Sequence, residues 1–203
     1  MPKIVIGLVG PIASGKGVIA KYLKELGFSH QSLSDRLREE FARRGASSER
    51  FSLQDLGNEL RQIHGNAVLA ELSIAKLKGD EEYVVIDSIR NPGEIEYLRS
   101  SLDIFIIGVD AKDEDRLVWY LERAKKRGED TAKPESFWAA NQRDLGEEND
   151  SGQQVSRCLV MADTVLINRP GAEAMLIKAT GELIKERFGV DPEGLRRSCL
   201  ERV

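Results

Sequence analysis

Gly10, Pro11, Ile12, Ala13, Ser14, Gly15 and Lys16 follow one another in the order G-x-x-x-x-G-K. Glycines at those two places let the backbone turn tightly enough for consecutive N–H groups to face one point, and the helix that follows adds its positive end. Such a loop is an anion cradle, and Lys16 is placed to reach the outer phosphates of a polyphosphate and offset charge as it moves. A purely structural glycine turn is the alternative. The strand before the loop, the lysine and the helix after it together favour the cradle. Gly17 and Val18 come next, so no hydroxyl stands where the pattern would supply a ligand to Mg²⁺.

Further charged residues have spacings that suit phosphate chemistry. In Ser34-Asp35-Arg36-Leu37-Arg38-Glu39-Glu40, Arg38 follows Asp35 at one helical turn. A guanidinium there could grip a phosphate with two parallel hydrogen bonds and fix it for in-line attack; a solvated, charge-rich helix face is the other reading. In Val84-Val85-Ile86-Asp87-Ser88-Ile89-Arg90, Asp87 is expected at the carboxyl end of a buried strand, where open α/β sheets bind ligands. There it would hold a water of the Mg²⁺ shell. Capping of the next turn is the alternative for Asp87. Arg90 follows closely enough to touch the same acceptor phosphate. Arg123, Lys125, Lys126 and Arg127, then Arg143 beyond a polar loop, form the densest basic region, as expected of a lid that closes over phosphates and expels water. His30 and His64 have no acid or serine at a telling spacing and read as structural or surface residues. Trp119 and Trp138 read as packing residues.

These residues need a scaffold, and the apolar pattern supplies one. Lys3 to Val9, Phe28 to Leu33, Tyr83 to Ile86, Ile104 to Val109 and Thr164 to Ile167 read as strands. The unbroken apolar ones are typical of parallel strands buried on both faces. Between them, helices are expected over Gly15 to Leu26, over Asp35 to Arg44 with Ser34 or Asp35 as cap, as a pair from Leu53 to Leu77 broken near Gly65, over Glu94 to Ser100, Glu114 to Arg127, Glu135 to Leu145 and Ala172 to Phe188. The alternation predicts a three-layer α/β fold: a five-stranded parallel sheet with helices on both faces. Residues 1–190 are expected to form one domain with a short helical lid over about 123–146, leaving 191–203 as a tail without a clear role.

Composition narrows the partners. The 203 residues carry a formal net charge of −4, which argues against a chain whose main task is neutralising long nucleic acids. The basic run lacks interleaved aromatics for base stacking. Cys158 and Cys199 stand far apart and are expected to be reduced thiols rather than a metal or redox centre. No stretch approaches the roughly 20 apolar residues that cross a bilayer, so no membrane insertion and a cytoplasmic location are expected.

Ser14-Gly15-Lys16-Gly17 resembles the loop of adenylate kinases, in which glycine also follows the lysine and phosphates and water hold most of the metal. Val18 departs from that family, which has threonine there. Asp35 and Arg38 resemble the start of the acceptor-binding helix of nucleoside monophosphate kinases, and Asp87 to Arg90 their strand-end motif. Leu53 to Arg61, Arg143-Asp144, Gly152 to Gln154, Ala162-Asp163 and Asn168 are similar to the P-loop domain associated with deoxycytidylate deaminase-related proteins and to small archaeal kinase-like proteins. The zinc deaminase signature is absent, so deamination is not expected.

The resemblance implies ATP and Mg²⁺ as cofactors and residues 10–18 as the nucleotide loop. It places Arg61 with Asp35, Arg38 and Arg90 on the acceptor, and the loop Asn168 to Gly171 against the adenine. The implied reaction is phosphoryl transfer to a small phosphorylated acceptor, a nucleoside or deoxynucleoside monophosphate first and dephospho-CoA second, by a monomer or homodimer. The rivals are a regulatory nucleotide-binding NTPase and, weakest, one driven by nucleic acid.

Overall fold

Strands that read as unbroken apolar runs are buried from both sides, and the reason lies in how their side chains alternate. In the computed structural model, which describes residues 2–45, 53–127, 133–146 and 150–200, strand β1 (Ile4–Val9) is buried along its whole length. Its odd and even positions point to opposite faces. Val5 and Val9 join one apolar cluster and Ile4, Ile6 and Leu8 the other. Each fully buried Leu or Ile contributes about 1.5–3 kcal/mol, so the two clusters fix the register of the sheet.

The elements follow in chain order: β1, α1 (Lys16–Glu25), β2 (Ser29–Ser32), α2 (Leu33–Arg44), α3 (Leu53–His64), α4 (Val68–Ile74), β3 (Tyr83–Ile89), α5 (Pro92–Ser101), β4 (Ile104–Asp110), α6 (Asp113–Arg127), α7 (Pro134–Leu145), α8 (Val155–Val160), β5 (Thr164–Ile167), α9 (Glu173–Phe188) and α10 (Pro192–Leu200). Among the described residues the five strands pair in the order β2-β3-β1-β4-β5, every pair parallel. Leu37, Leu56, Leu60, Val68, Ile95 and Cys158 of α2, α3, α4, α5 and α8 pack on one face. Ile19, Leu23, Leu176 and Ile184 of α1 and α9 pack on the other. Because the chain leaves β1 towards β2 and β3 on one side and towards β4 and β5 on the other, the end of β1 is a switch point, where open sheets bind ligands.

Several local expectations are corrected. Strand β3 does not end at Asp87 but runs on to Ile89, and its pairing with β1 slips between Gly7↔Ile86 and Val9↔Ile89. Ser88 absorbs the extra residue at φ 65, a bulge of the sort that re-aims side chains beside a site. Helix α2 starts earlier than the sequence suggests: Ser32 is its N-cap, without a side-chain hydrogen bond, and Ser34 and Asp35 lie inside the helix. Residues after Asp191 form α10, whose Leu195 packs against the α1 and α9 cluster. Helix α8 was not foreseen; six residues are too few for a period to show.

The second helix of the expected lid is seated on the body. Phe137, Asn141 and Asp144 bury one face of α7 against the body. Residues 128–132 of the intervening loop and the side chains of Arg127 and Cys199 lie outside the described residues.

Candidate nucleotide-binding site

Two glycines give the loop after β1 its shape. A Cβ on Gly10, at φ 153, would collide with the carbonyl oxygen of Val109, and one on Gly15, at φ 107, would stand 2.5 Å from Asn168 Nδ2. Glycine alone meets both demands. Asn168, buried at the start of the loop after β5, donates from Nδ2 to the carbonyl oxygen of Ser14 at 3.1 Å. It therefore braces the loop from behind, while Arg169, Pro170, Gly171, Met175 and Ala179 border a separate groove of about 450 Å³.

Gly15 is the N-cap of α1, with no side-chain cap and no acidic residue in the first turn. The N–H of Val18 turns back to the carbonyl oxygen of Gly15 at 2.9 Å, and the positive end of the helix lies at the loop without a side chain to offset it. Lys16 donates from Nζ to the carbonyl oxygens of Gly10, at 2.5 Å, and Pro11, at 2.9 Å. Burial, and then the positive charge of Arg90, push its ammonium down to about 8.

The loop opens into a cleft of about 650 Å³ whose walls include Ile12 to Val18, His30, Ser32, Ser34, Asp35, Arg38, Asp87, Ser88, Arg90, Trp119 and Arg123. The structure thus brings together most of the residues that the sequence nominates. Arg38 pairs with Asp35 at 2.6 Å on the exposed surface of α2. Asp87 accepts from the backbone N–H of Ser88 at 2.5 Å. Burial works to raise its carboxyl, but His30, the charge of Lys16 and the Ser88 N–H outweigh it and hold the group below the usual range. Arg90 donates to Asp144 and, at 3.1 Å, to Gln153 Oε1. The guanidinium of Arg123 lies 5.7 Å from the ring centre of Tyr120.

Two nominated arginines are elsewhere. Arg61 is buried, and its Nη2 lies 2.8 Å from Glu94 Oε1. It does not line the cleft. The other oxygen of Glu94 accepts the backbone N–H groups of Arg90, at 2.7 Å, and Asn91, at 3.0 Å, so Arg61 acts behind the site. Arg143 pairs with Asp55 of α3 and does not line the cleft either.

Other residues escaped the sequence reading. His30, which reads as structural or surface, stands with its Nε2 3.8 Å from Asp87 Oδ2. The pairing Ser32↔Asp87 of β2 on β3 creates this neighbourhood, and no sequence signal gives that register. Trp119 lines the cleft rather than the core. Buried Arg116 reaches the carbonyl oxygen of Ile12 in the loop, and buried Asp144 holds Arg90.

A UPF0200 protein of Sulfurisphaera tokodaii is 34% identical over 181 residues, which cover 89% of this chain and 96% of the relative. The chain belongs to the UPF0200 family. A second UPF0200 protein, from Aeropyrum pernix, is 29% identical over 192 residues, 94% of this chain and 97% of that one. Residues 9–137 of this UPF0200 chain match the family described as AAA domain. Among solved structures, TT1252 from Thermus thermophilus superposes with a TM-score of 0.59 at 20% identity, covering 91% of this chain and 98% of the other. Shikimate kinase from Acinetobacter baumannii, in complex with shikimate, gives a TM-score of 0.52 at 16% identity, with 91% and 94% covered. The UPF0200 chain therefore has a fold shared with P-loop kinases.

Proposed function

We propose that this protein is an ATP-dependent phosphotransferase whose acceptor is a small phosphorylated molecule, in the first instance a nucleoside or deoxynucleoside monophosphate. The observation that carries the reading is the gathering of Lys16, Arg38, Arg90 and Arg123 around one cleft at the open end of α1. In an acidic chain, four cations on one concavity suit two phosphate-bearing ligands meeting end to end.

The residues divide the work as follows. The loop N–H groups cradle the β- and γ-phosphates, and Lys16 exchanges its own loop carbonyls for phosphate oxygens. Arg123 answers the charge on the transferring group, and the groove beside Arg169 to Gly171 takes the base. Arg38 is free to exchange partners because its bond to Asp35 is exposed on both sides, and such pairs are worth about 0–1 kcal/mol. Arg90 is less free, since Asp144 is buried, and so serves better as a fixed wall of the acceptor end.

Mg²⁺ fits this site as a partner of the phosphates. Gly17 brings no hydroxyl, no group of three or more metal-binding side chains occurs among the described residues, and Asp87 is the carboxylate that would hold the ion, through water. When bound, the ion neutralises phosphate charge as the phosphoryl group moves.

A second reading, a nucleotide sensor without acceptor phosphorylation, is supported by Gly17 and by the internal seating of Lys16 on its own carbonyls. ADP release from ATP and Mg²⁺ across nucleoside and deoxynucleoside monophosphates and dephospho-CoA, with Lys16→Ala as control, separates the two. Stimulation by one acceptor, lost in Lys16→Ala, is expected. ATP binding with turnover indifferent to every acceptor would leave the sensor.

A further inference from the structure

The crest of the phosphate loop is strained in a way that glycine does not explain. Ala13 sits at φ 60, a region costly for any residue with a Cβ and retained only where the surroundings enforce it. The N–H of Ser14 closes a turn on the carbonyl oxygen of Pro11 at 3.2 Å, so the group whose direction matters to an anion at this crest is the N–H of Ala13. The question is what enforces it.

Arg116 is 1% exposed and spends its guanidinium on three parts of the chain. Its Nη1 donates to the carbonyl oxygen of Ile12 at 3.0 Å and to Asn141 Oδ1 at 2.8 Å. Its Nη2 donates to Asp113 Oδ1 at 2.6 Å and its Nε to the carbonyl oxygen of Ala111 at 3.2 Å. The cation also lies 5.6 Å from the ring centre of Phe137. In a trans peptide the carbonyl and the following N–H point opposite ways. Anchoring the carbonyl of Ile12 on Arg116 therefore turns the N–H of Ala13 away from Arg116. One nitrogen ties the loop to Asn141, and Phe137 and Asn141 both belong to α7.

We propose that Arg116 is a positioning residue that holds the strained peptide between Ile12 and Ala13 in its anion-binding orientation, and that seating of α7 through Asn141 is a condition of that hold. The proposal rests on the nucleotide reading of the loop, and it deepens it: α7 supports the loop from below through Arg116, besides any part it plays over the cleft. Arg116 touches no substrate and acts only through the loop.

The test uses the full chain and four variants: Asn141→Leu, Arg116→Lys, and each of these combined with Ala13→Gly. Titration with a fluorescent ATP analogue and a thermal melt are recorded for all. Loss of a buried bond to a charged donor weakens analogue binding about tenfold in Asn141→Leu and Arg116→Lys. Glycine adopts φ > 0 without the Cβ penalty, so Ala13→Gly restores most of the affinity while the melting temperature stays low. Single variants that bind like wild type overturn the proposal, and so does a loss that Ala13→Gly leaves unchanged, since a merely structural Arg116 would lower stability and affinity together. Asn141→Leu decides the matter if Arg116→Lys does not fold. The amide resonance of Ala13 in ligand-free protein must also move in Asn141→Leu. Failure of the wild type to bind the analogue would count against the nucleotide reading, and the unliganded resonance would still settle the role of Arg116.

Discussion

Arg61 and Glu94 form an ion pair at 2.8 Å that solvent scarcely touches, with 1% and 0% of their side chains exposed. Removing one member of such a pair strands the other charge, at a cost of about 3–5 kcal/mol. Arg61→Met is therefore expected to lower the free energy of unfolding by that order, read from urea midpoints, and to disturb acceptor use only through the backbone of Arg90. A variant as stable as wild type that no longer uses its acceptor would return Arg61 to the substrate side.

That pair also shows where the sequence stops informing. The glycine loop and its flanking strand and helix are legible because their chemistry lies within neighbouring residues. The polarity of Arg61 is equally visible, but its partner is 33 residues away, and that of Arg143 is 88 away. An arginine on an amphipathic helix looks the same whether it awaits a phosphate or already holds a carboxylate. The neighbour of His30 is hidden for a related reason. The proximity of His30 to Asp87 depends on how β2 registers on β3, and the bulge at Ser88 shifts the end of β3 against β1, which no local pattern announces.

Lys16 predicts a pH dependence with a definite sign. In the ligand-free protein its ammonium titrates near 8 instead of 10.5, while bound polyphosphate would favour the charged form and raise that value. ATP affinity is therefore expected to fall as pH rises through about 8, with proton uptake on binding just above it. Calorimetry at pH 8.5 in two buffers of different ionisation enthalpy measures the uptake directly. Equal heats in both buffers would show that ATP binding does not change the charge of Lys16.

Arg38 predicts a split between stability and acceptor use. Its side chain is 60% exposed and its partner Asp35 47%, so Arg38→Ala should change stability by no more than about 0.5 kcal/mol. The loss of a charge-assisted grip on an acceptor phosphate is worth about 1.5–3 kcal/mol, a rise in acceptor KM of tenfold or more. Binding of ATP alone should be untouched. Equal weakening of ATP and acceptor would assign Arg38 to the nucleotide instead.

Gly17 is the place where adding a group is informative. A Cβ there would meet nothing within 4 Å, and its backbone lies outside the region that favours glycine. Neither crowding nor conformation requires glycine at this second residue of α1. Gly17→Ser should raise stability by roughly 0.5 kcal/mol through helix propensity alone. It also restores a hydroxyl directly after Lys16, so if Mg²⁺ sits between the loop and Asp87, the Mg²⁺ concentration giving half-maximal ADP release should fall. A more stable variant with an unchanged Mg²⁺ requirement would place the ion beyond the reach of α1, leaving Asp87 and the phosphates to hold it. Asp87→Asn in the Gly17→Ser background then distinguishes the two arrangements: with a hydroxyl ligand present the loss of the carboxylate is partly compensated, and without one it is not.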